Sequence, residues 1–203
     1  MRPGKTSICA LAAVGALAAG APAAGAARPS CEVPGSRTVL STATARVYYT
    51  AAGQPWACHR PTGRRTALDT AVDRFYAPGD ATLGLLRPAG ATFAFTWVDP
   101  GIPAVWVQSM DLRTGRFLHR LRIRPALSAE PADVRVAALV TRPGGAVAWT
   151  QVLEGERSVW RLDARGLRRL DAGPGIEPFS LRLSRAGRLT WRRDGAPRDA
   201  TLR

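Results

Sequence analysis

The sequence predicts an all-β fold, a propeller-like array of about four small antiparallel sheets, closed as four blades or left open as half a propeller. Three observations predict it. A segment ending in an aromatic residue recurs four times, glycine turns follow at matching places, and the strand-prone segments alternate apolar and polar residues without a helical stripe.

The recurring segments are Ala45 to Tyr49, Ala91 to Trp97, Gly145 to Trp149 and Gly187 to Trp191. Aligned on Tyr49, Trp97, Trp149 and Trp191, they are spaced by 48, 52 and 42 residues. Propeller blades repeat every ~40–50 residues. A second strand follows each of the first three, at Trp56 to Cys58, Val105 to Val107 and Val159 to Leu162; Pro197 to Leu202 follows the fourth and lacks the aromatic. Three units then turn through glycine, at Pro61 to Arg64, Arg113 to Arg116 and Ala164 to Gly166. Glycine supplies the positive φ that such short loops need.

The outer strands alternate as half-buried strands should. In Phe117 to Arg124, Leu121 and Ile123 face one way while Arg120, Arg122 and Arg124 face the other; Leu181 and Leu183 alternate likewise. The best helical window is Thr66 to Phe75. Stretches rich in Pro and Gly, at 77–90, 125–133 and 171–178, read as connections between units and not as domain linkers. The units fall at 38–70, 82–124, 134–171 and 178–203, within one domain at 38–203 that follows an N-terminal tail at 28–37. A distorted sandwich is the remaining arrangement, and the period favours blades. Tyr49, Trp97, Trp149 and Trp191 are expected in the core of their repeats.

Residues 1–27 have the form of a secretory signal peptide: Arg2 and Lys5, an apolar run from Ile8 to Ala19, then small residues to Ala27. The run is shorter than the ~20 apolar residues a spanning helix needs, so no integral membrane segment is expected after cleavage. No small-residue motif directly precedes Cys31, so lipidation is not expected, and there is no twin-arginine motif. The expected location is extracellular. Of three cysteines, Cys9 leaves with the signal, and Cys31 and Cys58 are expected to pair and pin the tail to the first unit. There is no C-x-x-C, and His59 is the one extra ligand beside Cys58, so a redox or metal role is disfavoured.

Removing Arg2 and Lys5 from the 29 basic residues leaves 27, all Arg, against 15 acids, so the exported chain carries a charge of +12. Lys is absent from that chain and Asn from the whole sequence, the usage of a GC-rich genome. The arginine excess therefore has two readings. One is mutational. The other is an anionic partner, such as a cell-wall or extracellular polymer, since Arg makes bidentate contacts with carboxylate and phosphate. The candidate anion-binding residues are Arg120, Arg122 and Arg124 on one strand face and Arg192 and Arg193 in a C-terminal unit also crowded by Arg182, Arg185, Arg188 and Arg198. The bland alternative is an outer strand kept from edge pairing by its charges. The aromatics recur at core positions, so nucleic acid is not the expected partner.

The stretch from Arg46-Val-Tyr through Trp56-Ala-Cys-His-Arg60 to Pro61-Thr-Gly-Arg-Arg65 resembles a repeat of secreted, uncharacterised propeller-like proteins of high-GC bacteria. The tail from Arg188 to Leu202 is similar to the final blade of the same group. More distantly the chain is similar to WD40- and TolB-type propellers, without their signature dipeptides. The resemblance implies the fold and transfers no catalytic residue.

Catalytic signatures are mostly absent from the sequence. H-E-x-x-H, G-x-S-x-G, the P-loop and the EF-hand pattern are absent, and His59 and His119 lie in different repeats. No metal or cofactor is expected. Asp69, Asp73 and Asp80 could supply the carboxylate pair of a carbohydrate-active enzyme, whereas Glu154 and Glu156 flank a glycine as exposed turn acids would. The reading reached is a secreted, non-enzymatic binding or scaffold module at the cell surface. The carbohydrate-active enzyme is one alternative. A structural protein that pairs through an open blade edge is the other, with the oligomeric state left open.

Overall fold

The computed structural model describes residues 30–68, 82–99, 104–123 and 134–203. Among them every regular element is a strand, and each strand pairs antiparallel with its chain neighbour. The first sheet holds β1 (Arg37–Ser41), β2 (Ala45–Tyr49), β3 (Pro55–His59) and β4 (Arg64–Ala67). The second holds β5 (Thr82–Ala89), β6 (Thr92–Asp99), β7 (Ala104–Asp111) and β8 (Arg116–Ile123). The third holds β9 (Val134–Thr141), β10 (Val147–Leu153), β11 (Glu156–Asp163) and β12 (Gly166–Ala172). The fourth has three strands, β13 (Arg182–Leu183), β14 (Arg188–Arg193) and β15 (Ala196–Thr201). The helical window at Thr66 begins inside β4, and its residues from 69 onward lie outside the described residues.

Turn chemistry fixes the hairpins. Glu154-Gly155 and Asp194-Gly195 connect strands through two residues, with φ of 52° and 80° in the first and 51° and 73° in the second. Positive φ at both positions is the turn whose twist matches that of the flanking strands. Gly63 and Gly115 take φ of 65° and 68° at the ends of the longer hairpin loops.

Three core clusters lie between successive sheets. Ala45, Val47 and Ala57 of the first sheet meet Phe93, Phe95 and Trp97 of the second. Ala94 and Val107 meet Leu139, Val147 and Trp149 of the third. Ala148 and Val159 meet Leu189 and Trp191 of the fourth. The middle sheets bury both faces, which is why β10 reads as the nearly continuous run Val-Ala-Trp-Thr-Gln-Val-Leu. Among the described residues no cluster joins the fourth sheet to the first. The fold is an open propeller-like array, not a closed ring.

The repeat is visible in cross-strand pairs. Trp97 stands opposite Trp106, Trp149 opposite Trp160, and Trp191 opposite Arg198. The matching pair in the first sheet is Tyr48 with Trp56. Tyr48 is buried beside the Cys31–Cys58 bridge. Tyr49 points the other way, and its hydroxyl accepts a hydrogen bond of 3.3 Å from the Leu83 N–H of the second sheet. The alignment on Tyr49 is therefore off by one residue, which in a strand exchanges the two faces.

The free face of the first sheet is capped. Cys31 is bonded to Cys58, with Cα atoms 5.7 Å apart, and packs with Val33, Tyr48 and Trp56. The buried Arg46 donates to the Cys31 carbonyl at 2.6 Å, Ser36 Oγ at 2.9 Å and Thr38 Oγ1 at 2.9 Å, and pairs with Glu32 at 3.3 Å.

Arginine also ties sheet to sheet. Arg87 donates to the Leu139 carbonyl at 3.0 Å, Arg142 to Leu202 at 2.5 Å and Arg161 to Thr201 at 2.6 Å. Five fixed N–H donors let a guanidinium hold several backbone acceptors at once, which a Lys ammonium does less rigidly.

Asp171 locks the third sheet to the fourth. Its carboxylate accepts from Trp191 Nε1 at 2.8 Å and from Arg193 at 2.7 Å. Burial alone would raise its pKa. The bonds from Trp191, Arg193 and the Ala172 N–H outweigh that and hold it below the ordinary carboxylate value. Asp111 is lowered too, chiefly by the hydrogen bond from Arg113. A carboxylate with a depressed folded-state pKa stabilises the fold above its unfolded value of about 4 and loses that contribution as pH falls through the folded value. The melting temperature should accordingly fall on acidification below about pH 4. Asp171→Asn should flatten that decline; an unchanged slope would show that the lock does not depend on charge.

Candidate functional site

Among the described residues none covers the outward face of the fourth sheet, where Arg182, Arg188 and Arg192 are exposed. Beside it the chain from Ile176 to Ser180 runs antiparallel alongside β14 before entering β13. Hydrogen bonds fix this turn: Glu177 N–H to the Arg192 carbonyl at 3.0 Å, Ser180 N–H to the Glu177 carbonyl at 3.1 Å, and Arg192 N–H to Ser180 Oγ at 2.9 Å. The turn holds Phe179 outward with 66% of its surface exposed, the most of any large apolar side chain described.

Two grooves meet at Phe179. One, of about 620 Å³, crosses the free face and is lined by Arg157, Phe179, Arg182, Thr190 and Arg192. The other, of about 610 Å³, follows the inner strands past Arg87, Leu139, Phe179 and Arg182. Phe179 and Arg182 line both, and the two adjoining grooves together are the furrow.

The furrow is electropositive for a specific reason. Arg87 donates to the Leu139 and Leu86 carbonyls, Arg157 to those of Pro174 and Ile176, and Arg182 to those of Phe179 and Leu181. Carbonyl dipoles orient a guanidinium but leave its unit charge in place. Among the described residues only Arg192 has a carboxylate, Glu177, at 3.4 Å. Four guanidinium groups thus face one acid, and each retains N–H donors for a ligand. Such a preorganised set has the donors and charge to hold carboxylate or phosphate.

The arginines expected from the sequence do not form one patch. Arg192 lines the furrow. Arg193, the next residue, turns to Asp171 at 2.7 Å and Asp194 at 3.7 Å. Arg120 and Arg122 lie on the second sheet, each with its guanidinium 5.6 Å from the centre of the Trp106 ring, and Arg120 is also 4.9 Å from that of Phe117. Arg124 lies outside the described residues, as do Asp69, Asp73 and Asp80. Glu154 and Glu156 are exposed at a hairpin turn. His59 is buried, with Nδ1 2.9 Å from Thr62 Oγ1. Burial lowers the pKa of His119, and Asp163 opposes that shift. Among the described residues no three His, Cys, Asp or Glu side chains gather as metal ligands would.

Phe179, Arg87 and Arg157 were not singled out from the sequence. The one available signal was Phe179 itself, a large apolar residue just after Pro178 in a turn-rich stretch.

No family model and no curated protein matches the chain. Among solved structures it is similar to the computationally designed Ika8 protein, at 16% identity and a TM-score of 0.40 over 81% of this chain and 44% of that one. KlAtg21, solved with the coiled coil of AgAtg16, shares 9% identity at a TM-score of 0.46 over 80% of this chain and 51% of that one. Hydrazine synthase of Kuenenia stuttgartiensis shares 14% identity at a TM-score of 0.43 over 73% of this chain and 46% of that one. The chain spans about half the length of each of these three.

Proposed function

We propose that the protein is an exported, non-enzymatic binding module that engages an anionic cell-wall or extracellular polymer along the furrow of the fourth sheet. The observation that carries this reading is the set of four arginines around Phe179, three of them held only by carbonyls among the described residues. A furrow made of two grooves suits a chain better than a single small molecule. Export rests on the signal-like first 27 residues, and the Cys31–Cys58 bridge is compatible with it.

A second copy of the protein fits the furrow poorly. Stacking the fourth sheet of one copy on the first sheet of another meets the cap over Tyr48 and Trp56. Pairing two fourth sheets sets Arg157, Arg182 and Arg192 against themselves. Strand addition along β15 meets Pro197, Arg198 and Asp199, residues that guard edges.

The test is co-sedimentation of residues 28–203 with purified cell walls and with an acidic polysaccharide, across a salt series. Binding should be present at low salt and fade steeply as salt rises. Arg182→Ser with Arg192→Ser should weaken it at least about tenfold, given the strength of hydrogen bonds to charged groups. Arg116→Ser with Arg168→Ser removes the same charge from other surfaces and should change it far less. Equal weakening by both pairs would make the interaction one of net charge and dismiss the furrow.

A further inference from the structure

The geometry points to an acidic glycan as the furrow's ligand, with uronate carboxylates on Arg182 and Arg192 and a pyranose face against Phe179. This rests on the anion-binding reading above and narrows it. A polymer of phosphates would need only the guanidinium groups. It offers no apolar face and leaves Phe179 unexplained.

Phe179 is not a loose surface residue. The bonds from Glu177, Ser180 and Arg192 fix its turn to β14. Its own carbonyl accepts from Arg182 at 2.7 Å, so a flat ring and a cation are held three residues apart in one rigid unit. That ring stands at the junction of the two grooves, 66% exposed. An aromatic face is the negative side of a quadrupole and attracts the polarised C–H bonds on one face of a sugar. A uronic acid carries that face, hydroxyls and a carboxylate on a single ring. Thr190, half-buried on the groove floor, adds a hydroxyl without a partner among the described residues. A few polar groups around an aromatic wall is the usual composition of a small-ligand site. The adjoining groove past Arg87 along β9 gives room for further linked sugars.

The test uses the protein secreted from an exporting host, with fluorescent oligogalacturonate and linear polyphosphate of matched charge as probes, read by anisotropy at low salt. Phe179 is exposed, so Phe179→Ala should fold, which its melting temperature checks. It should weaken oligogalacturonate binding about tenfold, the worth of one stacked ring, and leave polyphosphate binding within about twofold. Phe179→Trp should retain oligogalacturonate binding. If Phe179→Ala weakens both probes equally, or neither, the glycan assignment is overturned while anion binding stands. Arg182→Ser with Arg192→Ser should weaken both probes; no effect on either would overturn the furrow itself. Failure of the unaltered protein to bind either probe overturns both readings.

Discussion

Replacing Cys31 and Cys58 together by serine will lower the melting temperature by about 6–16 °C. The bridge closes a loop across 27 residues of sequence separation. On the chain-entropy model, such a loop is worth about 3–4 kcal/mol. A domain of this size loses about 2–4 °C of melting temperature per kcal/mol. The structural consequence adds to the entropic one. Without the bridge the cap over Tyr48 can fray, and the buried Arg46 then loses its Cys31, Ser36 and Glu32 partners together. A buried guanidinium left with few acceptors is costly. The measurement is a thermal melt of the double serine variant beside the oxidised protein and the oxidised protein after reduction. The last two should differ by nearly the same interval. A shift under about 2 °C would mean that packing alone holds the cap.

Trp149→Ala should be comparably damaging, for a different reason. Trp149 is fully buried between the second and third sheets, among Val107, Leu139 and Val147. Its ring stacks on Trp160 at 6.4 Å between centroids, and its Nε1 donates to Gln151 Oε1 at 3.1 Å. Emptying such a site costs about 3–5 kcal/mol, or about 6–20 °C here. Gln151, itself buried, also loses a partner. Trp149→Phe keeps most of the volume and should cost markedly less. Chemical denaturation of the two variants separates volume from hydrogen bond. Equal losses would assign the effect to the indole N–H. Losses of less than about 1 kcal/mol in both would mean that the middle interface is not a core at all.

The fold class was legible because its signals are local. Period-two alternation in β8 and at Leu181 and Leu183, and glycine turns at regular spacing, depend on neighbours within a few residues. The face assignment failed at one place for the same physical reason that makes alternation informative. Tyr48 and Tyr49 are both aromatic and adjacent, and composition cannot say which one belongs to the inward row. The arginines were legible as charge but not as structure. Arg87 reaches a carbonyl 52 residues away, and Arg142 and Arg161 reach carbonyls 60 and 40 residues away. No spacing rule in a sequence announces a bond to a distant backbone acceptor. The furrow was hidden further, since it depends on the outward face of the last sheet being bare and on Phe179 being held outward by its turn.

The array is open, and each interior cluster belongs to two adjacent sheets only. A ring must contain the number of blades that its angles allow; a stack has no such condition. Duplicating one middle unit, such as the segment from β9 to β12, would then lengthen the molecule by one sheet. The cap at one end and the furrow at the other would be unchanged.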